Sequence, residues 1–306
     1  MAKSPINQSL SGSALTAGIV CYAFWGFVPL VFQLIGGKGV GAWEILAHRS
    51  LWAAPTALVL VLASGLWPQV RLVLASPRTL LWLTLSALLI GINWIVYIWA
   101  VNNGQVLATS FGYYITPLVN MAGGALVFRE TISRYRRVAI AVTVLGVIVQ
   151  GIAVGGLPWP SLALALAFGI YGIVRKHVMA DALTGLFIEC VLIGSGGLLY
   201  VLWLQAHGVG HFFSSPTLSA WLMAAGPITA IPLALFSWAA RRIPLSFMAF
   251  LQFLTPSIAL LIGLAEGESL SVTRAVSFTL IWCGALIATF DTFWRHRAAT
   301  TAMESP

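Results

Sequence analysis

Charged residues are scarce in this sequence. Only 8% of its 306 residues are charged, whereas 59% are hydrophobic, and the mean hydropathy is +0.94. Soluble domains typically carry about 25% charged residues, so this composition excludes a soluble protein and predicts an integral membrane protein. Because each helical crossing needs about 20 apolar residues, ten crossings would use most of the chain and leave no room for a separate catalytic domain.

Cysteines and catalytic motifs are also scarce. The three cysteines, Cys21, Cys190 and Cys283, all lie in apolar runs, so they indicate small core residues rather than a disulfide framework. The sequence contains no H-E-x-x-H, G-x-G-x-x-G or G-x-x-x-x-G-K-[ST] motif, which excludes the common zinc-protease, dinucleotide and P-loop ATPase sites. We therefore expect a protein that is not an enzyme and needs no metal or cofactor.

The apolar runs predict ten membrane helices. The first run begins near Ser11 and passes twenty residues without an A-x-A type cleavage site, so we expect a first membrane helix rather than a removable signal peptide. The runs lie near residues 11–34, 43–64, 79–101, 106–128, 135–154, 159–176, 183–206, 217–240, 245–265 and 272–294.

The basic residues predict the orientation of these helices. Thirteen of the sixteen Lys and Arg residues fall in every second connection or in the tails, as the positive-inside rule requires of cytoplasmic segments. We expect a multi-pass protein of the cell (inner) membrane with both termini in the cytoplasm and residues 295–306 as a cytoplasmic tail. The excess of 16 basic over 8 acidic residues is then an orientation signal, and we expect no nucleic-acid binding.

The chain also contains an internal repeat. An offset of 139 residues superposes Trp99 on Trp238 and Pro117 on Pro256, and with one residue removed Gly146 falls on Gly284. This predicts two repeats, residues 11–154 and 159–294, each with five helices. Because five is odd, the second repeat would enter the membrane from the opposite face, the inverted arrangement of many carriers.

Four segments carry a resemblance to a known family. They are FWGFVPL (residues 24–30), EILAHRSLW (44–52), INWIVYIWAVNNGQVLATSFGYYITPL (92–118) and FRETIS (128–133). Together they resemble the EamA family of the drug/metabolite transporter superfamily, most closely its RarD branch, described as chloramphenicol-sensitive RarD-like permeases. The resemblance implies an all-α membrane protein of ten helices in two inverted EamA repeats, with helices 5 and 10 outside the ring that encloses the cavity. The second half is more divergent, with Arg175 near the position where a counterpart of Pro29 would be sought.

Ionisable residues inside apolar helices are candidates for function, because a charge at a helix centre is costly in a bilayer. Arg49, preceded by His48, lies about six residues into helix 2, and Glu189 lies at the matching position of helix 7 at an offset of 140. We expect Arg49 to bind a substrate anion or hydrogen-bond acceptor and Glu189 to carry a coupling proton. Snorkelling to the interface is the alternative for both charged residues. For His48, the functional interpretation is a side chain that titrates near neutral pH, and a structural role is the alternative.

Polar and aromatic residues complete the candidate substrate cavity. Such side chains suit planar or amphipathic organic molecules, although packing or an interfacial aromatic belt would also explain them. The candidates are Tyr22, Trp25, Asn93, Trp94, Tyr97, Tyr113, Tyr114, Asn120, Tyr171, Trp238 and Gln252. Pro117 and Pro256 lie mid-helix in the prediction, where each would interrupt the backbone hydrogen bonds and indicate a cavity wall.

These observations together predict a secondary-active permease. It would move a small organic metabolite or drug by alternating access, through a central cavity formed by helices 1 to 4 and 6 to 9. The alternatives are a membrane channel, a lipid scramblase or a receptor. We expect the small-molecule substrate and the lipid bilayer as partners, possible proton coupling, and a monomer or homodimer.

Overall fold

The computed structural model describes residues 12–127, 133–240, 242 and 251–304, and this part of the chain is entirely helical. Eleven helices are present in it, and no strand lies within these ranges. They are α1 (Gly12–Gly36), α2 (Ala42–Ala63), α3 (Trp67–Leu74), α4 (Pro77–Asn102), α5 (Val106–Val127), α6 (Arg134–Val154), α7 (Trp159–Lys176), α8 (Ala182–Ala206), α9 (Pro216–Ala240), α10 (Leu254–Ala265) and α11 (Val272–Glu304).

The helix positions agree closely with the apolar runs of the sequence. The short helix α3 was not expected, because its eight residues form only two turns between two long apolar runs. It begins with Pro68 in its first turn, where the missing amide costs nothing. Val70 and Val73 are buried, whereas Leu72 is exposed, so α3 packs one face against α4 and α8.

Two helix ends differ from the expectation. The ninth apolar run was expected as one helix over residues 245–265, but α10 begins only at Leu254, after a turn at Gln252 and Phe253. Because Pro256 has no amide to donate to the Gln252 carbonyl, a break at this turn follows from the sequence. Residues 243–250 lie outside the described ranges. At the other end of the chain, α11 continues as far as Glu304 rather than ending near residue 294.

In the described part of the chain, six helices are long and apolar enough to cross a membrane. They are α1, α2, α4 and α8, together with Pro216–Phe236 of α9 and Val272–Asp291 of α11. Shorter apolar segments occur in α6, α7 and α10. Large apolar side chains such as Leu81, Leu199 and Phe290 are exposed on the outer surface, as expected where lipid replaces water around a helical bundle.

The centre of the bundle is the contact between α2 and α8. Helix α9 packs on α2, and α4 packs on α8; α1 contacts α9 and α10, whereas α7 contacts α4 and α5. Gly197 permits the close approach of α2 and α8, because a Cβ atom added there would lie 2.9 Å from the carbonyl oxygen of Ala47. Helices α6 and α11 form a separate, extensive pair at the edge of the bundle.

Glycines and small side chains also hold the α6/α11 pair together. A Cβ added to Gly146 would lie 2.7 Å from Cγ1 of Ile281, and one added to Gly284 would lie 2.8 Å from the carbonyl oxygen of Ala139. The Ser277 hydroxyl donates a 2.8 Å hydrogen bond to the carbonyl oxygen of Gly146. Each helix therefore has a glycine at the point where the other helix packs closely against it, as is common for helix pairs in membranes.

The bundle has two ends that differ in their connections. We call the end that holds the start of α1 the N-terminal end, and the opposite end, with residues 37–41, 103–105, 155–158, 207–215 and 266–271, the far end.

At the far end, the Glu268 carboxylate accepts hydrogen bonds from the amides of Val106 (2.6 Å) and Leu107 (3.2 Å), which are free at the start of α5. Burial raises the pKa of the Glu268 carboxyl above its ordinary value, against the effect of these two amides. Gln33 donates to Glu266 across the same end, at 2.5 Å.

Candidate functional site

Arg49 is a buried cation at the meeting point of four helices. Its side chain is 8% exposed, and its Nε donates a 2.8 Å hydrogen bond to Thr229 Oγ1 of α9. The guanidinium carbon lies 4.3 Å from the ring centroid of Trp94 in α4 and 5.3 Å from that of Phe32 in α1. Within the described ranges, no carboxylate lies at salt-bridge distance from Arg49. Its terminal nitrogens therefore remain available as donors.

Aromatic and amide side chains continue the site from Arg49. The Tyr97 ring lies 5.9 Å from that of Tyr113, and both tyrosines are close enough to Arg49 to interact with it electrostatically. The Tyr113 hydroxyl donates a 3.4 Å hydrogen bond to Asn93 Oδ1, and Asn93 Nδ2 donates to the Leu164 carbonyl of α7 at 3.2 Å. These contacts join α4, α5 and α7 around one polar surface.

A line of rings connects this surface with Glu189. Tyr113 contacts Phe168 edge to face at 6.1 Å, and Phe168 stacks on Tyr171 at 5.8 Å. The Tyr171 hydroxyl then donates a 3.2 Å hydrogen bond to Glu189 Oε2. Arg49 and Glu189 thus lie at opposite ends of one continuous set of polar and aromatic groups and have no direct contact.

Glu189 is surrounded by donors. Its side chain is 1% exposed, and its Oε1 accepts a short hydrogen bond from the Ser86 hydroxyl of α4. Arg175 Nη1, at the end of α7, lies 3.6 Å from the same oxygen. The Arg175 guanidinium fits against Gly185, where any added Cβ would overlap it. The protein itself therefore neutralises this buried carboxylate.

Sequence reasoning missed Arg175 as a member of the site. The pattern of basic residues placed it with Lys176 among the orientation signals, yet its side chain is half-buried and points to Glu189. A signal for it was present, because Arg175 falls within the apolar run of residues 159–176 and Gly185 leaves space beside it.

Three further predicted site residues lie in other clusters. Tyr22 and Trp25 contact each other at 5.7 Å and both contact Phe236, in a cluster nearer the N-terminal end. The Tyr114 hydroxyl shares a 2.7 Å hydrogen bond with Ser257 of α10, on the side of α5 that faces α10 and α11. The structure therefore does not bring these residues into the Arg49 cluster.

The remaining predicted residues are dispersed. His48 is buried under Phe212 of the far-end loop, with ring centroids 4.9 Å apart. Trp238 is exposed beneath the Arg242 guanidinium, and Gln252 lies half-buried in the turn before α10. Asn120 belongs to the helical backbone of α5, but its side chain lies outside the described part.

A cleft opens at the N-terminal end between α1, α2, α8 and α9. Its volume is about 890 Å³, and Thr16, Leu60, Leu183 and Trp238 are among the lining residues, with Arg242 at its rim. As for metal ligands, the described residues contain no group of three His, Cys, Asp or Glu side chains close enough to hold an ion.

An all-helical bundle with an apolar outer surface and a buried polar centre defines a multi-pass membrane protein. The sequence profile of the EamA-like transporter family matches residues 12–151. An uncharacterized transporter from Pseudomonas aeruginosa is 39% identical over 284 residues, covering 91% of this chain and 93% of that protein. The proteins named RarD from Streptomyces exfoliatus and Escherichia coli are 38% and 34% identical, covering 98% and 91% of this chain and 94% of each relative.

These relatives establish the family. The chain belongs to the EamA family, in the group that contains the RarD proteins, and it is a membrane transporter. A solved crystal structure with 18% sequence identity superposes with a TM-score of 0.57 and covers 96% of this chain and 99% of its own. At that identity the likeness concerns the fold alone.

Proposed function

We propose that this transporter is a secondary-active carrier that binds a small organic solute beside Arg49 and exposes it to one side of the membrane at a time. The observation that carries this proposal is the buried guanidinium, which has no carboxylate partner among the residues that the structure describes. A buried cation is costly unless something compensates its charge, and a transported anion or a strong hydrogen-bond acceptor would do so.

The same cluster suits an organic solute with a flat ring. Trp94, Tyr97 and Tyr113 present ring surfaces beside the guanidinium, and Asn93 can donate or accept hydrogen bonds. The anionic group of the solute would bind Arg49 and its ring would stack on these aromatic side chains. Tyr22, Trp25 and Trp238 would then lie on the route towards the N-terminal cleft rather than at the central site.

We also propose that the chain comprises ten membrane helices in two inverted repeats. The packing supports the repeat. It would pair α1 with α7, α2 with α8, α4 with α9 and α5 with α10. Under this pairing, the α1/α9 contact corresponds to the α7/α4 contact, and the α1/α10 contact corresponds to the α7/α5 contact. The α2/α8 and α5/α10 contacts map onto themselves. A bundle built from two related halves would have this property.

The α6/α11 pair supports the repeat at the level of single residues. Gly146 faces Ser277 and Ile281, whereas Gly284 faces Ala139 and Thr143. The offset that relates the two glycines, 138 residues, also relates Ala139 to Ser277 and Thr143 to Ile281. Inverted repeats of this kind are the usual basis of alternating access.

The basic residues support an orientation with the N-terminal end in the cytoplasm of the cell. Arg71, Arg78, Arg175 and Arg242 lie at that end, as the positive-inside rule requires. The N-terminal cleft would then be the cytoplasmic entrance, and the far end would be the external gate.

Flux across liposomes that contain the purified full-length protein tests the carrier proposal. The protein would first be screened for ligands by thermal shift, with aromatic acids, amino acids and neutral drugs, because a ligand that binds the folded state raises its stability. We expect the best ligand to show saturable uptake that is stimulated by unlabelled solute on the opposite side. Uptake that rises linearly with concentration and shows no counterflow would indicate a channel, and flip-flop of labelled lipid without solute uptake would indicate a scramblase.

Proton coupling at Glu189 is the second part of the proposal. Burial favours the neutral acid, whereas Arg175, Ser86 and Tyr171 favour the carboxylate, so a movement of α7 against α8 would change its affinity for a proton. We expect Glu189→Gln to abolish uptake driven by a proton gradient while counterflow without a gradient persists. Gradient-driven uptake that survives in this variant would contradict the coupling role.

A further inference from the structure

The far-end loop between α8 and α9 places an aromatic ring over two ring side chains of α2. His48 and Trp52 are four residues apart and therefore lie on one face of the helix. The Phe212 ring stacks nearly parallel to both, at 4.9 Å and 16° from His48 and at 6.0 Å and 24° from Trp52. Phe212 thus covers a flat aromatic surface formed by His48 and Trp52, and Arg49 follows His48 directly in the sequence.

This aromatic surface leaves polar atoms without partners. Among the described residues, neither ring nitrogen of His48 has a hydrogen-bond partner, although the side chain is only 1% exposed, and the same holds for the buried Nε1 of Trp52. Buried polar atoms are normally satisfied, because leaving them unpaired is unfavourable. A phenyl ring has no hydrogen-bonding atom. Phe212 therefore packs against this surface without satisfying its nitrogen atoms.

The loop that carries Phe212 is attached by contacts that can be released. The Glu44 carboxylate accepts a 2.7 Å hydrogen bond from the His211 amide and lies 2.8 Å from His211 Nδ1. The Phe212 carbonyl oxygen accepts a hydrogen bond from the Ser219 hydroxyl.

We propose that His48 and Trp52 form an outer substrate subsite, which Phe212 occupies in this structure and which a planar aromatic carboxylate occupies when the loop withdraws. The inference rests on the proposed carrier function and adds a ligand class to it. The ring of the ligand would replace the Phe212 ring between His48 and Trp52. Its polar substituents would satisfy the unpaired nitrogens, and its carboxylate would approach Arg49.

Binding of 2-naphthoate to the purified protein, measured by equilibrium dialysis, tests this subsite. We expect Phe212→Ala to bind 2-naphthoate about 10-fold more tightly than the natural protein, because the ligand no longer competes with an aromatic stack. The neighbouring Phe213 is 77% exposed and contacts the Phe212 ring edge to face at 4.8 Å. Phe213→Ala leaves the Phe212 ring over His48 and Trp52, so it is the matched control, and its affinity should stay within about twofold.

Two further variants keep the test decisive. In the Phe212→Ala background, Trp52→Leu should remove the gain in affinity, because the stacking partner is lost. Phe212→Leu retains an apolar side chain on the turn and should give a smaller gain of the same sign, so it serves if Phe212→Ala does not fold. Equal affinities of Phe212→Ala and Phe213→Ala, or weaker binding to the former, would overturn the subsite and make Phe212 part of the wall.

The outcome is separable from that of the carrier proposal. If Phe212→Ala binds more tightly but no variant shows counterflow, the subsite stands and the carrier function fails. If counterflow is present and Phe212→Ala binds as Phe213→Ala does, the carrier function stands and the subsite fails.

Discussion

In the proposed repeat, Arg49 and Glu189 occupy matching positions of the two contacting helices α2 and α8, yet their surroundings differ. Glu189 is held by Ser86, Tyr171 and Arg175. Within the described ranges, Arg49 donates one hydrogen bond, to Thr229, and otherwise contacts aromatic rings. Among the described residues, Glu189 therefore has partners that compensate its charge, whereas no carboxylate lies beside Arg49.

A single small residue contributes to this difference. Gly185 leaves the space in which the Arg175 guanidinium lies beside Glu189. At the offset of 140 residues that relates Glu189 to Arg49, the counterpart of Gly185 is Ile45, which is fully buried. At that position the first half therefore has a large apolar side chain, where the second half leaves room for a guanidinium.

The largest expected effect is on ligand binding at Arg49. Because removing one partner of a buried charged contact costs about 2 to 5 kcal/mol, Arg49→Ala should weaken binding of an anionic ligand by about 100-fold. Thr229→Val removes the hydrogen bond that orients the guanidinium, together with the one that the Thr229 hydroxyl donates to the Ala225 carbonyl oxygen, so the loss of affinity should be smaller. Isothermal titration of the purified variants measures both, and an unchanged affinity in Arg49→Ala would exclude it from the site.

The second effect is on stability and contrasts the two arginines. Arg175→Met leaves the Glu189 carboxylate buried without its cation, which should destabilise the folded protein by about 2 to 3 kcal/mol. Adding Glu189→Gln should recover most of that loss. Arg49→Met strands no carboxylate and should change stability by less than about 1 kcal/mol.

Unfolding in detergent, followed by circular dichroism, measures these differences in stability. Equal losses in Arg175→Met and Arg49→Met would show that the two charges are compensated in the same way. The comparison between the two halves would then fail.

The smallest effect concerns the packing of the helices that carry both charges. Gly197→Ala adds a Cβ against the backbone of Ala47 and should destabilise the protein by about 1 to 2 kcal/mol. The adjacent Gly196 has open space around it, so Gly196→Ala should stabilise α8 by up to about 1 kcal/mol. Opposite signs in the same unfolding measurement are expected, and a loss of similar size in both would mean that the α2/α8 contact is looser than described.

The sequence predicts the helices better than it predicts the partners of the site. Apolar runs locate the long helices to within a few residues, because hydrophobic length is what a bilayer demands. Burial of Arg49 and Glu189 also agrees with the expectation that each lies inside an apolar helix. Helix α3 was missed because its amphipathic pattern covers only two turns.

The side-chain partners depend on the relative rotation of helices, which composition does not encode. Tyr113 and Tyr114 are adjacent in sequence, yet one lies beside Asn93 and the other beside Ser257. From the sequence, Arg175 resembles one of the basic residues that orient the helices. Only its position beside Gly185 in the structure identifies it as the partner of Glu189. Phe212 carried no sequence signal, because its importance comes from a loop that returns onto α2.

In the proposed repeat, the reciprocal glycines of α6 and α11 couple one half of the chain to the other. Each glycine admits a side chain that belongs to the other half, so a bulkier residue at either position can be tolerated only through a compensating change more than a hundred positions away. Around Arg49 and Glu189 the matched positions already differ, as Ile45 and Gly185 do. The edge pair is therefore where the two copies are expected to stay alike, while the centre is free to diverge towards new cargo.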